Sequence, residues 1–163
     1  KHWQTFYELE NPREDATWTS TQMTVPFSNP GKEDVKNWLQ VNVEDEWKFE
    51  DWKLKLEFRD IGATDFYTTR LAFVPGTTPH VNSVGGSIIT MDENQSLTEY
   101  NVRWTIRHEY GHTLGFPDCY VEFYDSAKGM MVSYQLDTSD LMCSRKGKLQ
   151  KHHFDQLKAA HQH

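Results

Sequence analysis

Leu54, Leu56 and Phe58 alternate with Lys55, Glu57 and Arg59. That two-residue period predicts a strand with one buried face. Before it, Val35, Trp38, Leu39, Asn42, Val43, Glu46 and Trp47 recur at helical spacing, mostly apolar, with charges opposite, which predicts an amphipathic helix. Residues 22–26 read as a short strand ended by the turn Ser28-Asn29-Pro30-Gly31. Residues 71–74 and 85–91 read as two more strands. Ser96 and Glu99 have capping-box spacing. They open a second helix whose Val102, Ile106, Tyr110 and Leu114 share one face. Residues 1–20 look like an arm or early strand, residues 119–149 look irregular, and residues 151–161 read as a closing helix with Phe154, Leu157 and Ala160 or His161 inward. The order is strand, helix, three strands, helix, and the class is α+β.

Composition narrows this picture. The chain has 163 residues, enough for one domain with a real core. Six tryptophans, seven tyrosines and nine phenylalanines argue against disorder. A net charge of −7 disfavours nucleic acid and anionic membranes as partners. No apolar run has the length of a membrane span. No signal peptide is visible, and a chain beginning at Lys1 is read as one from which an upstream segment has been removed.

The chemistry concentrates in residues 108–118, His-Glu-Tyr-Gly-His-Thr-Leu-Gly-Phe-Pro-Asp. His108 and His112, four apart on a helix, project from one face and can reach one metal ion. Glu109 stands beside the first of them, where its carboxylate can meet a metal-bound water. Gly115 suits the left-handed residue that ends a helix, and the returning chain can deliver Asp118. Three protein ligands and one open position describe a catalytic zinc site. A bare His-Glu-x-x-His is as often a solvated helix face. The glycine and aspartate at fixed offsets favour the metal.

The extended run resembles the metzincin zinc endopeptidases, whose pattern is His-Glu-x-x-His-x-x-Gly-x-x-His. The last position here is Asp118, as in the snapalysin-type members, small secreted bacterial proteases. The resemblance implies zinc ligands at His108, His112 and Asp118, a general base at Glu109, and a methionine turn under the metal, for which Asp140-Leu141-Met142-Cys143 is the candidate. Some members carry a tyrosine two residues after that methionine; here the position is Ser144. It also implies a mixed, twisted sheet with two long helices in an upper lobe of about residues 1–115. An irregular lower lobe of about residues 116–163 would carry the methionine turn and the closing helix. In the family an edge strand before the active-site helix binds extended substrate, which points to Gly86, Ser87 and Ile88; a simple glycine turn fits those residues equally well. Cys119 and Cys143 follow Asp118 and Met142. In the family's geometry they could meet as a disulfide, suiting a secreted or periplasmic location, although by count alone they could equally be two buried thiols.

The expected cofactor is one catalytic Zn2+, the expected partner a polypeptide substrate, and the chain is read as a monomer. Zinc would polarise water, with Glu109 taking its proton. Two other functions fit the same residues: an amidase or peptidase acting on cell-wall peptides, and a catalytically silent, zinc-stabilised binding domain. Other candidates have plainer readings. His2, His80, His152, His153, His161 and His163 are expected at the surface or at helix ends. Glu122 and Asp125 are alternative ligands without a helix to present them. Tyr120, Tyr124 and Tyr134 are packing residues before they are oxyanion helpers.

Overall fold

The computed structural model describes residues 7–135 and 137–163, with the side chains of residues 120–122 and 133–135 excepted. His2 therefore lies outside the described residues, and of Tyr120, Glu122 and Tyr134 only the backbone is described. The architecture is α+β. Strand β1 (Thr17–Trp18) precedes β2 (Gln22–Ser28), helix α1 (Glu33–Leu39), β3 (Lys48–Phe49), β4 (Trp52–Arg59), β5 (Arg70–Val74), β6 (His80–Val81) and β7 (Ile88–Asp92). Helix α2 (Tyr100–Leu114), the strands β8 (Tyr120–Asp125) and β9 (Met130–Gln135), and helix α3 (Lys151–His161) follow.

Strand β4 buries Trp52, Leu54 and Leu56 and exposes Lys53, Lys55 and Glu57, as its alternation requires. It pairs in parallel with β2, placing Val25 opposite Leu56. The order of this sheet is β1-β2-β4-β3, and a second sheet runs β5-β7-β6. The two meet at a parallel bridge between Phe27 and Thr69, where the Ser28 N–H donates to the Thr69 carbonyl at 2.7 Å.

Several elements differ from the sequence reading. The first helix is regular only to Leu39; residues 40–44 continue it with the wider turn of a π-helix. Its buried residues Val35, Leu39, Val43 and Trp47 recur every four residues. That interval exceeds 3.6, so a regular helix would rotate them progressively off the core. Helix α2 starts at Tyr100, later than the capping box implied. Only half of the box forms: the Ser96 N–H reaches Glu99 Oε1 at 3.3 Å, while the Ser96 hydroxyl turns to Thr98. The stretch read as irregular contains the β8–β9 hairpin. Its signal was present: two β-prone runs joined by residues 126–129, ending at Gly129 with φ 63°. Strand β7 begins at Ile88, not at Gly85.

The core lies between the sheets and α2. Val102, Ile106, Tyr110 and Leu114 are buried, as their spacing predicted. Trp47 stacks on Phe116 at 5.9 Å, and its indole N–H donates to the Arg107 carbonyl at 3.0 Å. This pins α2 to the segment after α1. Each such side chain contributes roughly 1.5–3 kcal/mol by burial.

Candidate metal centre

Helix α2 ends at Gly115, whose φ is 108°. Its N–H donates to the His112 carbonyl and that of Phe116 to the Gly111 carbonyl, both at 3.1 Å. These bonds satisfy the last carbonyls of the helix and reverse the chain. A Cβ at Gly115 would collide with the Asn11 carbonyl, so glycine is required by space as well as by φ. Three residues later the chain places Asp118 over the helix face that carries the two histidines. Asp118 Oδ1 lies 2.9 Å from His108 Nε2 and 3.1 Å from His112 Nε2.

The other ring nitrogens are also engaged. His108 Nδ1 is 2.8 Å from the Leu141 carbonyl oxygen, and His112 Nδ1 is 2.8 Å from the Phe116 carbonyl oxygen. A carbonyl only accepts, so each Nδ1 carries the proton and each neutral ring turns an Nε2 lone pair toward the carboxylate. Asp118 Oδ1 is buried and has no hydrogen-bond partner. Three acceptor atoms thus converge on one point with no donor among them, a donor set complete only around a cation. Burial opposes the charge on Asp118. When no metal is bound and the rings take a second proton on Nε2, they donate to this carboxylate, outweigh burial and hold it well below the usual range. Burial likewise opposes protonation of His112, and the neighbouring Asp118 outweighs it, raising the pKa.

Met142 is buried against Gly111, which lies between the two histidines on α2. A Cβ at Gly111 would collide with Met142 Sδ and come within 2.9 Å of Trp47, so the motif needs glycine there. Cys119 and Cys143 form a disulfide with Cα atoms 4.5 Å apart. The Cys119 N–H also donates to the Met142 carbonyl at 3.2 Å, tying the Asp118 loop to this turn twice.

A cavity of about 610 Å³ opens onto His108, His112 and Asp118. Glu109 lines it together with Ser144, Arg145 and residues 78–81, 83 and 84. Gly86, Ser87 and Ile88 are not among its lining residues. This differs from the sequence reading. Gly86 donates to the Ser83 carbonyl in a tight turn, and β7 is central, bonded to both β5 and β6. The sheet edge beside the cavity is β6, a two-residue strand too short to leave a pattern. Gly85, with φ 77°, instead donates its N–H to the His112 carbonyl at 2.7 Å.

The histidines of α3 stand at its two ends, as the sequence reading allowed, but His153 and His161 are buried. His153 Nδ1 accepts from the Gln150 N–H at 2.9 Å, so its Nε2 donates to Asp140 Oδ1, 3.2 Å away. His152 Nε2 lies 2.6 Å from the other oxygen of Asp140. Neighbouring helix residues, though on different faces, thus grip one carboxylate from both sides. The Met142 N–H donates to Asp140 as well, at 2.8 Å. These three residues form a second cluster of potential ligand atoms, but their own hydrogen bonds satisfy them. Asp125 caps the hairpin turn through the Ala127 and Lys128 N–H groups, and Tyr124 is exposed on the hairpin. Neither lines the cavity. Arg145 and the wall at 78–84 were missed, because a loop arginine and an irregular segment carry no periodic signal.

No family model matches the chain, and no curated protein matches it. Among solved structures it is similar to that of myroilysin, with 18% identity and a TM-score of 0.39 over 64% of this chain. The match spans 52% of that protein, about half its length.

Proposed function

We propose that this protein is a zinc-dependent endopeptidase of metzincin type, with the whole chain as one catalytic unit. The observation that carries the reading is the donor-free convergence of His108 Nε2, His112 Nε2 and Asp118 Oδ1, with both imidazoles fixed by backbone carbonyls. A zinc ion held there would acidify a water molecule and stabilise the oxyanion of a peptide carbonyl under attack. Glu109 takes the proton of the attacking water as the C–O bond forms. It passes that proton to the leaving nitrogen as the C–N bond breaks. Met142 supports the floor of the site from below, and the Cys119–Cys143 bond holds the loop that presents Asp118. Substrate lies extended along the free edge of β6, adding a strand through backbone hydrogen bonds. A secreted or periplasmic location follows from the same disulfide.

The test is hydrolysis of a mixed peptide library by zinc-loaded protein, with cleavage products identified by mass spectrometry. Activity abolished by a chelator and restored by zinc is expected. Tight stoichiometric zinc binding without cleavage of any peptide would leave a zinc-stabilised binding domain. Cleavage of peptidoglycan crosslinks alone would indicate the cell-wall amidase.

A further inference from the structure

Arg145 lines the cavity with its side chain 49% exposed and its Nη2 3.6 Å from Glu109 Oε1. That distance is too long for a hydrogen bond. Among the described residues Arg145 has no other partner, so the donors of its guanidinium are uncommitted. Among the described residues that line the cavity there is no other permanent cation, and the carboxylates are Glu109 and Asp118. The other lining segment, residues 78–81, 83 and 84, carries no acid. Arg145 also opens a basic run, Arg145-Lys146-Gly147-Lys148, in a chain of net charge −7. Lys148 is drawn away to Glu46 at 3.7 Å, whereas Lys146 is exposed beside Arg145.

Position gives this charge its meaning. Glu109 delivers its proton to the leaving nitrogen, so the residue that owns that nitrogen must lie next to Glu109. Its side chain then comes within reach of Arg145. We infer that Arg145 is a specificity-determining residue that selects peptides with Asp or Glu immediately after the scissile bond, its guanidinium pairing with that carboxylate. The inference rests on the peptidase reading of the same site.

The test uses peptides identical except for Asp, Asn or Lys after the cleaved bond. Cleavage by zinc-loaded wild type is read as kcat/KM, with the cut located by mass spectrometry. Binding of the same peptides to zinc-loaded Glu109→Gln protein is read by calorimetry. The Asp peptide is expected to be favoured over the Asn peptide about five- to tenfold in both, the scale of a partly exposed ion pair with a bidentate partner, with Lys the poorest. Arg145→Gln should collapse the Asp/Asn ratio toward one, and Arg145→Lys should restore part of it. Equal treatment of Asp and Asn by the wild type, a ratio that survives Arg145→Gln, or binding of neither peptide would overturn the inference. Arg145-dependent selective binding without any cleavage would instead overturn the peptidase reading while upholding the recognition of an acidic side chain.

Discussion

His108 Nδ1 lies 2.8 Å from the carbonyl oxygen of Leu141, a residue 33 positions later in the chain. Through this contact the turn containing Met142 decides which nitrogen of His108 faces Asp118. The turn is therefore part of the geometry of the candidate metal centre.

Removal of Asp118 should show this centre at its weakest. Asp118→Ala is expected to fold but to lose zinc affinity by more than the roughly 10- to 100-fold typical of a supporting contact. Competition with a chromophoric chelator measures it, and undiminished affinity would exclude Asp118 as a ligand.

Zinc binding should weaken in acid. A proton and a metal ion compete for His112 Nε2, and Asp118 raises the pKa of His112 in the metal-free protein. Affinity should therefore begin to fall while the pH is still above the ordinary histidine value of about 6.5. A pH series of zinc titrations checks this; a constant affinity down to pH 5 would contradict it.

Glu109→Gln keeps the shape of the side chain and removes its basicity. The variant should bind zinc normally and lose turnover by roughly 10²- to 10⁴-fold, the scale of a general base. Activity within a few-fold of wild type would remove Glu109 from the mechanism.

The disulfide joins cysteines 24 residues apart. Cys119→Ser should cost about 3 kcal/mol of stability in urea denaturation of the metal-free protein. It should also weaken zinc retention, because Asp118 sits on the loop the bond closes. The backbone bond from Cys119 to Met142 remains, so the site should be loosened and not lost. Unchanged zinc retention would show that packing alone holds the loop.

Asp140 is nearly fully buried, and burial opposes its charge. His152, His153 and the Met142 N–H outweigh burial and hold the carboxyl well below the usual range. Asp140→Asn should destabilise the protein by about 3 kcal/mol at pH 7, as expected when one member of a buried charged network is neutralised. A depressed carboxylate stabilises above its unfolded pKa of about 3.9 and loses that contribution as pH falls toward its folded value. The gap between wild type and variant should therefore narrow below about pH 4. Paired urea melts at pH 7 and pH 3 test both statements, and a gap that widens at pH 3 would reverse the assignment.

What the sequence determined by itself was local. The alternation in β4, the stripe of α2 and the bounds of α3 are set by side-chain period and by which residues burial favours. The spacing of His108, His112, Gly115 and Asp118 brought the two imidazoles and the carboxylate within reach of one another, because helix geometry and a left-handed glycine are properties of a short segment. Tertiary structure decided everything that depends on residues distant in sequence. Strand β6 exists because β7 offers it an edge, and β7 is central because β5 took the other side. His153 is buried because Asp140, from another segment, meets it there. Arg145 faces Glu109 only because the turn at Met142 packs against α2. A histidine or arginine is polar enough for the surface, and only the partner that the fold brings to it decides whether it stays there.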